Sequence, residues 1–349
     1  MALQGGHSWP EVLTTLVEGH DLPLDAAQWA MDTILAGNAT PAQIAAFAVA
    51  QRAKGITQTE LQGLVDAMLS RAHRLTVDER VVDVVGTGGD RAKTVNLSSM
   101  AAVVTAGAGI GVVKHGNRAA SSASGTADVF EHLQIALDVP ADRVIEVYRR
   151  AGITFCFAPV FHPSMRHAGP PRGEIGIPTA FNFLGPLTNP AQPAASAIGC
   201  FDLQVAPLMA GVLADRGADA MVFRGDDGLD ELSTADTSQV WTVADGQVVH
   251  ESLDPQELGL ARSQPADLRG GDPAFNADVF RRVIEGEPGP VRDAVVLNAG
   301  AAIAVHAAST GSLVERIAAG MERAASSIDS GSAAASLAKW SAATQELRG

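Results

Sequence analysis

The chain has 349 residues, of which 46% are hydrophobic and 18% are charged, and its formal net charge is −14. This length exceeds what one compact core usually serves, so we expect two domains. The hydrophobic share excludes a disordered protein. The acidic balance speaks against a nucleic-acid or anionic-membrane partner, because phosphate backbones demand a basic face.

Cysteine content and targeting signals favour an intracellular protein. Cys156 and Cys200 are too few for a disulfide framework or a cysteine-rich zinc site, and we interpret them as buried small apolar residues. The first seven residues lack the basic segment and apolar run of a signal peptide. No stretch approaches the roughly 20 uninterrupted apolar residues of a membrane span. The expected location is therefore cytoplasmic.

Residues 1–72 show the pattern of a small all-helical domain. Asp25, Thr40 and Thr57 each precede a Glu or Gln by three positions, a spacing typical of helix starts. The helix expected at 41–54 is apolar on most faces, so it must be buried inside the domain or against another subunit. We therefore expect a homodimer formed through these helices.

From about residue 80 onward, short apolar runs alternate with helical segments. Strands are predicted at 81–85, 110–114, 220–224, 240–243 and 294–297, and helices at 97–106 and 127–134. The segment 170–193 is rich in proline and glycine and predicts an irregular connection over the sheet. Alternation of strand, loop and helix indicates a mostly parallel sheet covered by helices.

The strongest local signal is the sequence GTGGD at residues 86–90, directly after a predicted strand. Glycines let backbone N–H groups turn inward and approach an anion closely. Polar residues follow at the predicted helix start, where free N–H groups also attract anions: Thr94, Asn96, Ser98 and Ser99. A Rossmann loop fits less well because its third glycine is missing, and a Walker loop is excluded because no Gly-Lys-Ser/Thr follows. Alone, the pattern fits a tight turn before an ordinary helix cap equally well.

A second polar loop follows the next predicted strand. It comprises KHGNR at residues 114–118 and the serine-rich run at 119–125. Ligands of parallel sheets bind beyond the carboxyl ends of the strands, so this loop should face the first one. The alternative is a solvated Lys and Arg beside a turn, and two polar loops after adjacent strands make that alternative weaker.

Carboxylates are concentrated after the strand predicted at 220–224. The sequence GDDGLDE at 225–231 holds four acidic residues, which repel one another unless they are solvated or share a cation. Oxygen ligands combined with substrate phosphates are typical of magnesium. We interpret Asp226 and Asp227 as a solvated acidic turn and assign the metal to Asp230 and Glu231.

Histidines and arginines cluster at residues 162–172. The sequence HPSMRH at 162–167 precedes Arg172. Zinc is disfavoured because no second ligand cluster has recognisable spacing. The planar guanidinium of Arg172 suits a carboxylate through two parallel hydrogen bonds. For any single residue here, a structural hydrogen bond is the commoner role.

Taken together, these motifs resemble the anthranilate phosphoribosyltransferase family. The resemblance covers nearly the whole chain and is carried by GTGGD, NLSS, KHGNR, SSASGTAD, HPSMRH, TAFNFLGPLTNP at 179–190 and GLDE at 228–231. It implies an α/β protein of the nucleoside phosphorylase and phosphoribosyltransferase type. Residues 1–72, to which part of 165–190 can belong, would form a small helical domain. Residues 73–349 would form a larger α/β domain with a mostly parallel central sheet.

The resemblance also implies an activity. The family transfers a phosphoribosyl group from phosphoribosyl diphosphate (PRPP) to the amine of anthranilate in tryptophan biosynthesis. The residues expected to contact PRPP are Gly86, Gly89, Asp90, Thr94, Asn96, Ser98, Ser99, Lys114, Ser122 and Thr126. Those expected to line the anthranilate site are Gly86, His115, Asn117, His162 and Arg172. Two magnesium ions are expected on Ser98, Asp230 and Glu231. No side chain is assigned as a nucleophile or an essential base.

The sequence departs from the family pattern at few positions. Thr126 stands where the family more often has Ser or Ala, and it retains a hydroxyl. The segment 169–173 is more proline-rich than usual and lacks a second basic residue after Arg172, which leaves the reach of that side chain open. Two other readings remain. A pyrimidine nucleoside phosphorylase would need no acidic metal pair, and a nucleic-acid-binding relative would need a basic groove.

Overall fold

The computed structural model describes residues 6–118 and 124–349. Its strands are β1 (Val82–Gly86), β2 (Val112–Gly116), β3 (Ile153–Phe157), β4 (Ala195–Gly199), β5 (Asp219–Gly225), β6 (Ser238–Ala244) and β7 (Gln247–Leu253). The helices before β1 are α1 (Trp9–Val17), α2 (Leu24–Leu35), α3 (Pro41–Lys54) and α4 (Gln58–Ser70). Those between β1 and β5 are α5 (Leu97–Gly107), α6 (Thr126–His132), α7 (Val144–Ala151), α8 (Ala158–Phe161), α9 (Gly169–Ile175), α10 (Phe181–Leu187) and α11 (Ala206–Asp215). The last four are α12 (Pro273–Ile284), α13 (Pro290–Ala307), α14 (Leu313–Asp329) and α15 (Ser332–Leu347).

The first four helices begin largely where local capping chemistry predicts. Thr40 and Thr57 form complete capping boxes with Gln43 and Glu60, so both predictions are confirmed. The prediction for Asp25 is wrong. Pro23 occupies the cap position of α2, and Asp25 lies in the first turn, where its charge still complements the helix dipole.

The sheet has the strand order β3-β2-β1-β4-β5-β6-β7. The five strands from β1 to β5 pair in parallel, whereas β6 and β7 extend the β5 edge in antiparallel fashion. The mostly parallel sheet is therefore confirmed. Sequence patterning missed β3 and β4, because short runs such as ITFCF and ASAIG show no alternation when both faces are covered. It also missed β7, a mostly exposed strand at the edge of the sheet.

Two hydrophobic clusters cover the two faces of the sheet. Strand β5 shows the alternation: Met221 and Phe223 join one cluster, while Ala220 and Val222 join the other. The first cluster includes residues of α5, α13 and α15. The second unites the first four helices with α10 and α11. Cys156 and Cys200 are buried free thiols, as expected.

Two predictions between β3 and the C-terminus are wrong. Residues 294–297 belong to the 18-residue helix α13, not to a strand, because a short apolar run does not distinguish a buried strand from a buried helix. The segment 170–193 is not wholly irregular, since α9 and α10 lie within or across it. No helix in the described ranges is long and apolar enough to cross a membrane.

Candidate active site

The candidate site lies at the carboxyl edge of the sheet, where the chain order reverses. Strand β1 pairs with β2 on one side and with β4 on the other. Such switch points open a crevice in which parallel sheets bind ligands. Gly86 ends β1 directly beside Gly199, which ends β4. The loop after β5 crosses this point.

Gly86 and Gly199 have no side chains, and this leaves room for Asp230. A Cβ on Gly86 would overlap the Asp230 carboxylate, and a Cβ on Gly199 would overlap its backbone carbonyl. The carboxylate Oδ2 accepts a hydrogen bond from the Gly88 N–H at 2.6 Å. The loops after β1 and β5 therefore meet directly.

The glycine loop uses backbone conformations that L side chains rarely adopt. Gly88 and Gly89 have φ values of 64° and 93°, which glycine reaches without steric cost. Gly89 packs against the ring of Phe201, and a Cβ at position 89 would lie only 3.0 Å from the nearest ring carbon. The N–H of Ala92 donates to the Asp90 carboxylate at 3.1 Å. The loop is thus a turn stabilised by its own aspartate.

Glu231 meets the start of helix α5. Its Oε1 accepts a hydrogen bond from the Ser98 N–H at 3.2 Å. Asn96 is the N-cap residue but gives this helix no side-chain cap bond. A carboxylate at a helix start interacts favourably with the helix dipole. Ser99 is buried, and its hydroxyl lies 3.4 Å from that of Thr126.

Lys114 contacts both strand β1 and the start of helix α5. Its ammonium is buried, donates to the carbonyl of Val84 and lies 3.4 Å from the Ser98 hydroxyl. Burial lowers the pKa of Lys114, and the charges of Asp83, Glu231 and Asp230 oppose that shift. The lysine is thus a positive charge shared among several carboxylates.

Burial raises the pKa of both acidic residues. For Asp230 the neighbouring Asp90 and Glu231 add to the rise, whereas for Glu231 the charge of Lys114 opposes it. Two buried carboxylates this close favour protonation or a shared cation. Their oxygens and the Ser98 hydroxyl are hard donors of the kind magnesium takes. In the described ranges no three acidic, histidine or cysteine side chains form a metal cage, so substrate phosphates would have to complete the coordination.

The acidic turn at Asp226 and Asp227 lies apart from this pair. Asp226 is exposed and accepts bonds from Gln239 at 3.0 and 3.2 Å. Asp227 accepts from the Ser233 hydroxyl at 2.6 Å. Both make ordinary turn contacts.

Asn96 joins the two polar loops. Its Nδ2 donates to the Ser124 carbonyl at 3.2 Å, and its Oδ1 accepts from Asn276 at 2.9 Å. Thr94 forms an isolated antiparallel bridge with Arg269. The loop after β2 therefore lies beside the glycine loop. Ser122 lies outside the described residues.

His115 and His162 form a buried pair, with ring centroids 5.1 Å apart. Nδ1 of His115 donates to the Gly185 carbonyl at 2.8 Å, and Nε2 of His162 donates to the Thr188 carbonyl at 2.9 Å. Burial lowers the pKa of His115 to about 3 and that of His162 to about 4. Both rings are neutral at pH 7, and each has one buried nitrogen without a partner in the described structure. The pair thus offers two hydrogen-bond acceptors.

Arg172 lies in helix α9 and packs against helix α10, which also contacts His115. The Arg172 guanidinium lies 5.4 Å from the centroid of the Phe181 ring, and Gly185, one turn further on, receives the His115 bond. Burial lowers the pKa of Arg172. No described residue forms a hydrogen bond or ion pair with its side chain. Asn117 is exposed at the end of β2, and its side chain accepts from the Arg118 N–H at 2.7 Å.

Sequence reasoning missed three buried residues that hold the site. Asp83, inside β1, accepts from the His115 N–H at 3.1 Å and from Asn189 at 2.8 Å. Burial raises the pKa of Asp83 to about 6. Asn298 of α13 bonds both backbone groups of Leu232, at 2.9 and 3.0 Å. The sequence signal that could have revealed Asp83 is a polar side chain inside an apolar run, VVDVV at residues 81–85.

Known proteins share both parts of the chain. The sequence profile of the glycosyl transferase family helical bundle domain matches residues 10–72, and that of the family's a/b domain matches residues 78–334. Fold and site thus place the chain among the glycosyl transferases of this family.

Individual relatives narrow the assignment. The anthranilate phosphoribosyltransferase of Nocardioides sp. is 58% identical over 97% of this chain and 99% of its own length. That of Rhodococcus jostii is 57% identical over 97% and 94%. The crystal structure of the Thermus thermophilus enzyme matches with a TM-score of 0.89 at 38% identity, over 96% of this chain and 99% of that one. The Saccharomyces cerevisiae enzyme in complex with PRPP and Mg matches with a TM-score of 0.89 at 25% identity, over 98% and 99%. The chain belongs to the anthranilate phosphoribosyltransferase family.

Proposed function

We propose that the chain transfers the 5-phosphoribosyl group of PRPP to the amine of anthranilate. The products are N-(5-phosphoribosyl)anthranilate and diphosphate, in a step of tryptophan biosynthesis. The observation that carries this proposal is the meeting of three loops at one switch point, marked by the Gly88, Lys114 and Glu231 contacts. The names of relatives over 50% identical across the chain support the same activity.

PRPP is assigned to the crevice between the glycine loop and α5. The proposed contacts are Gly86, Gly89, Asp90, Thr94, Asn96, Ser98, Ser99, Lys114, Ser122 and Thr126. Free N–H groups of the loop and helix start suit phosphate oxygens. Lys114 adds positive charge beneath them. Glu231 occupies the Ser98 N–H in this structure, so a phosphate there would have to displace it or bind beside it.

Magnesium is assigned to Ser98, Asp230 and Glu231, as two ions. The fit rests on two buried carboxylates whose pKa values are raised by burial. When bound, magnesium would neutralise charge that develops on the departing diphosphate. The protein's own part is to hold the carboxylates in place through the N–H groups of Gly88 and Ser98.

Anthranilate is assigned to the region around α9, α10 and the histidine pair, at Gly86, His115, Asn117, His162 and Arg172. The guanidinium of Arg172, which no described residue pairs, suits the carboxylate of the substrate. The free nitrogens of His115 and His162 are acceptors that suit the two N–H bonds of an aromatic amine. With pKa values of about 3 and 4, these rings orient the amine rather than act as strong bases.

Positioning and charge neutralisation dominate the proposed catalysis. An aromatic amine is already neutral at pH 7 and needs no base before it attacks the anomeric carbon. General acid–base help would supply about 3–5.5 kcal/mol. Holding both reactants in line supplies about 7–11 kcal/mol. The buried network around Asp83, Asn189 and Asn298 is the kind of rigid support that such positioning requires.

The division of the chain and its dimerisation remain predictions that we propose alongside the activity. Residues 1–72 form the helical part and 73–349 the catalytic part, and α9 packs against α3. Val17, Val49 and Leu24 expose 77%, 44% and 39% of their surface on the helical part. Such apolar exposure suits a homodimer contact. Val17→Lys should shift the mass measured by light scattering from dimer to monomer.

One assay tests the activity against the two alternatives. Purified protein with PRPP, magnesium and anthranilate should consume anthranilate fluorescence, and omission of either PRPP or magnesium should stop it. A pyrimidine nucleoside phosphorylase would instead release a base from a nucleoside with phosphate. A nucleic-acid-binding relative would turn over neither. Constant fluorescence with all three components present would overturn the proposed function.

A further inference from the structure

Three cations beside the glycine loop have no partner among the described residues. Arg91, Lys93 and Arg269 are exposed, and none of their side chains forms a hydrogen bond or ion pair within the described ranges. The cation of the neighbouring loop differs, because Arg118 is paired with Asp128 at 2.8 Å and with Glu131 at 2.6 Å. We call Arg91, Lys93 and Arg269 the loop cation cluster.

Backbone pairing holds Arg269 beside Lys93, on the segment between the glycine loop and α5. The Gly270 N–H donates to the Lys93 carbonyl at 2.8 Å, and the Val95 N–H donates to the Leu268 carbonyl at 2.9 Å. Between these bonds Thr94 bridges to Arg269. Arg269 is therefore held directly against the loop that leads into α5, although it lies far away in sequence.

Two members of the cluster occupy a strained conformation. Arg91 and Lys93 have φ values of 61° and 56°. This left-handed region disfavours side chains with a Cβ, and Gly or Asn adopts it more readily. The loop thus carries long cationic side chains at two positions where smaller residues would stabilise the fold better.

The negative charges in the crevice would repel PRPP unless cations lie near its entrance. PRPP is a polyanion, the chain has a net charge of −14, and the crevice itself holds Asp90, Asp230 and Glu231. Lys114, the cation beneath the acidic pair, is buried and already faces Asp83 and both carboxylates of that pair. An approaching anion therefore meets a repulsive field unless exposed cations at the entrance reverse it locally.

We propose that the loop cation cluster captures the phosphate groups of PRPP at the entrance and strengthens PRPP binding. This role rests on the proposed function and goes beyond it, since the assigned PRPP contacts include none of the three residues. Electrostatic steering of this kind raises association about tenfold or more and weakens with salt.

The test compares two charge-matched double variants. Arg91→Asn with Lys93→Asn removes two cluster charges, and Asn tolerates the left-handed backbone. Arg149→Gln with Lys339→Gln removes two exposed charges of helices α7 and α15 that no described residue pairs. Arg269→Gln is the single variant of the third member. Calorimetry with magnesium and either PRPP or inorganic diphosphate gives the affinity at low and physiological salt.

The cluster variant should bind PRPP about tenfold more weakly at low salt, with a shallower dependence on salt and an unchanged or higher Tm. The control should match the wild type in PRPP affinity, in the salt dependence of that affinity and in Tm. An equal salt dependence in wild type and cluster variant, or an equal loss in the control, would overturn the proposal, as would a wild type that binds neither probe. Salt-dependent binding through the cluster without anthranilate turnover would instead uphold it and reject the proposed function.

Discussion

The carboxylate of Asp230 accepts a 2.6 Å hydrogen bond from the backbone N–H of Gly88, a residue 142 positions earlier. The bond joins the acidic loop after β5 to the glycine loop after β1. It exists because Gly86 and Gly199 lack side chains that would occupy the same volume. The parts of the site that we assign to phosphate and to metal therefore form one unit.

Asp230→Asn separates the charge of this residue from its hydrogen bond. The amide oxygen still accepts from Gly88, so the loop should remain in place. We expect kcat to fall by about 10²–10³-fold, as when one preorganised charge-stabilising group is lost. The Tm should stay equal or rise, because a buried carboxylate with a raised pKa is removed.

Asp226→Asn is the matched control, since it changes an exposed acidic residue elsewhere in the same loop after β5. Steady-state rates at several magnesium concentrations and a thermal melt measure both effects. Wild-type turnover by Asp230→Asn, with the same magnesium dependence, would remove this carboxylate from the site.

Gly199→Ala tests whether the switch point depends on an absent side chain. The added methyl would overlap the Asp230 carbonyl, which is backbone and cannot rotate away. Overpacking of this kind costs about 1–3 kcal/mol, and the displaced Asp230 should reduce turnover. Gly169→Ala is the control, because among the described residues no atom outside its own helix and its chain neighbours lies within 4 Å of the added Cβ. Denaturation midpoints and rates of the two variants should differ clearly; equal values would show that the loop adapts freely.

Local chemistry explains which parts of the fold were predictable. The capping boxes at Thr40 and Thr57 depend on residues three positions apart, so the sequence displays them directly. The helix at residues 294–297 was mistaken for a strand because an apolar run carries no period once it is buried on all sides.

Long-range contacts explain what was missed in the site. Asn189 meets Asp83 across 106 positions, and Asn298 meets Leu232 across 66. No local pattern marks such partners, whereas the glycine loop and the acidic pair can be recognised from their local residue composition. The residues that we propose contact substrate are thus easier to predict from the sequence than the residues that hold them in place.

Arg172→Ala should chiefly raise the KM for anthranilate. Its guanidinium has no described partner besides the Phe181 ring, so it is available for a substrate carboxylate. Loss of a charged hydrogen bond corresponds to about 10- to 100-fold. Arg166→Ala, which removes an exposed cation of the preceding segment, should leave KM unchanged. A loss confined to kcat would contradict this role.

The buried histidines predict how stability depends on pH. Burial holds the pKa of His162 at about 4, below the ordinary value of about 6.5. The unfolded chain therefore binds a proton more readily between these values, so the contribution of His162 is fully present above pH 6.5 and is lost as the pH falls towards 4. Between pH 6.5 and 4.5 the loss is about 2 kcal/mol.

His162→Gln isolates this contribution, because Gln can still donate to the Thr188 carbonyl and does not titrate. Asp83, whose pKa is raised to about 6, acts in the opposite direction but is common to both proteins. The difference in unfolding free energy between wild type and variant, from urea titrations at pH 6.5 and 4.5, should therefore shift against the wild type by about 2 kcal/mol. A difference independent of pH would mean that His162 is not held neutral by its surroundings.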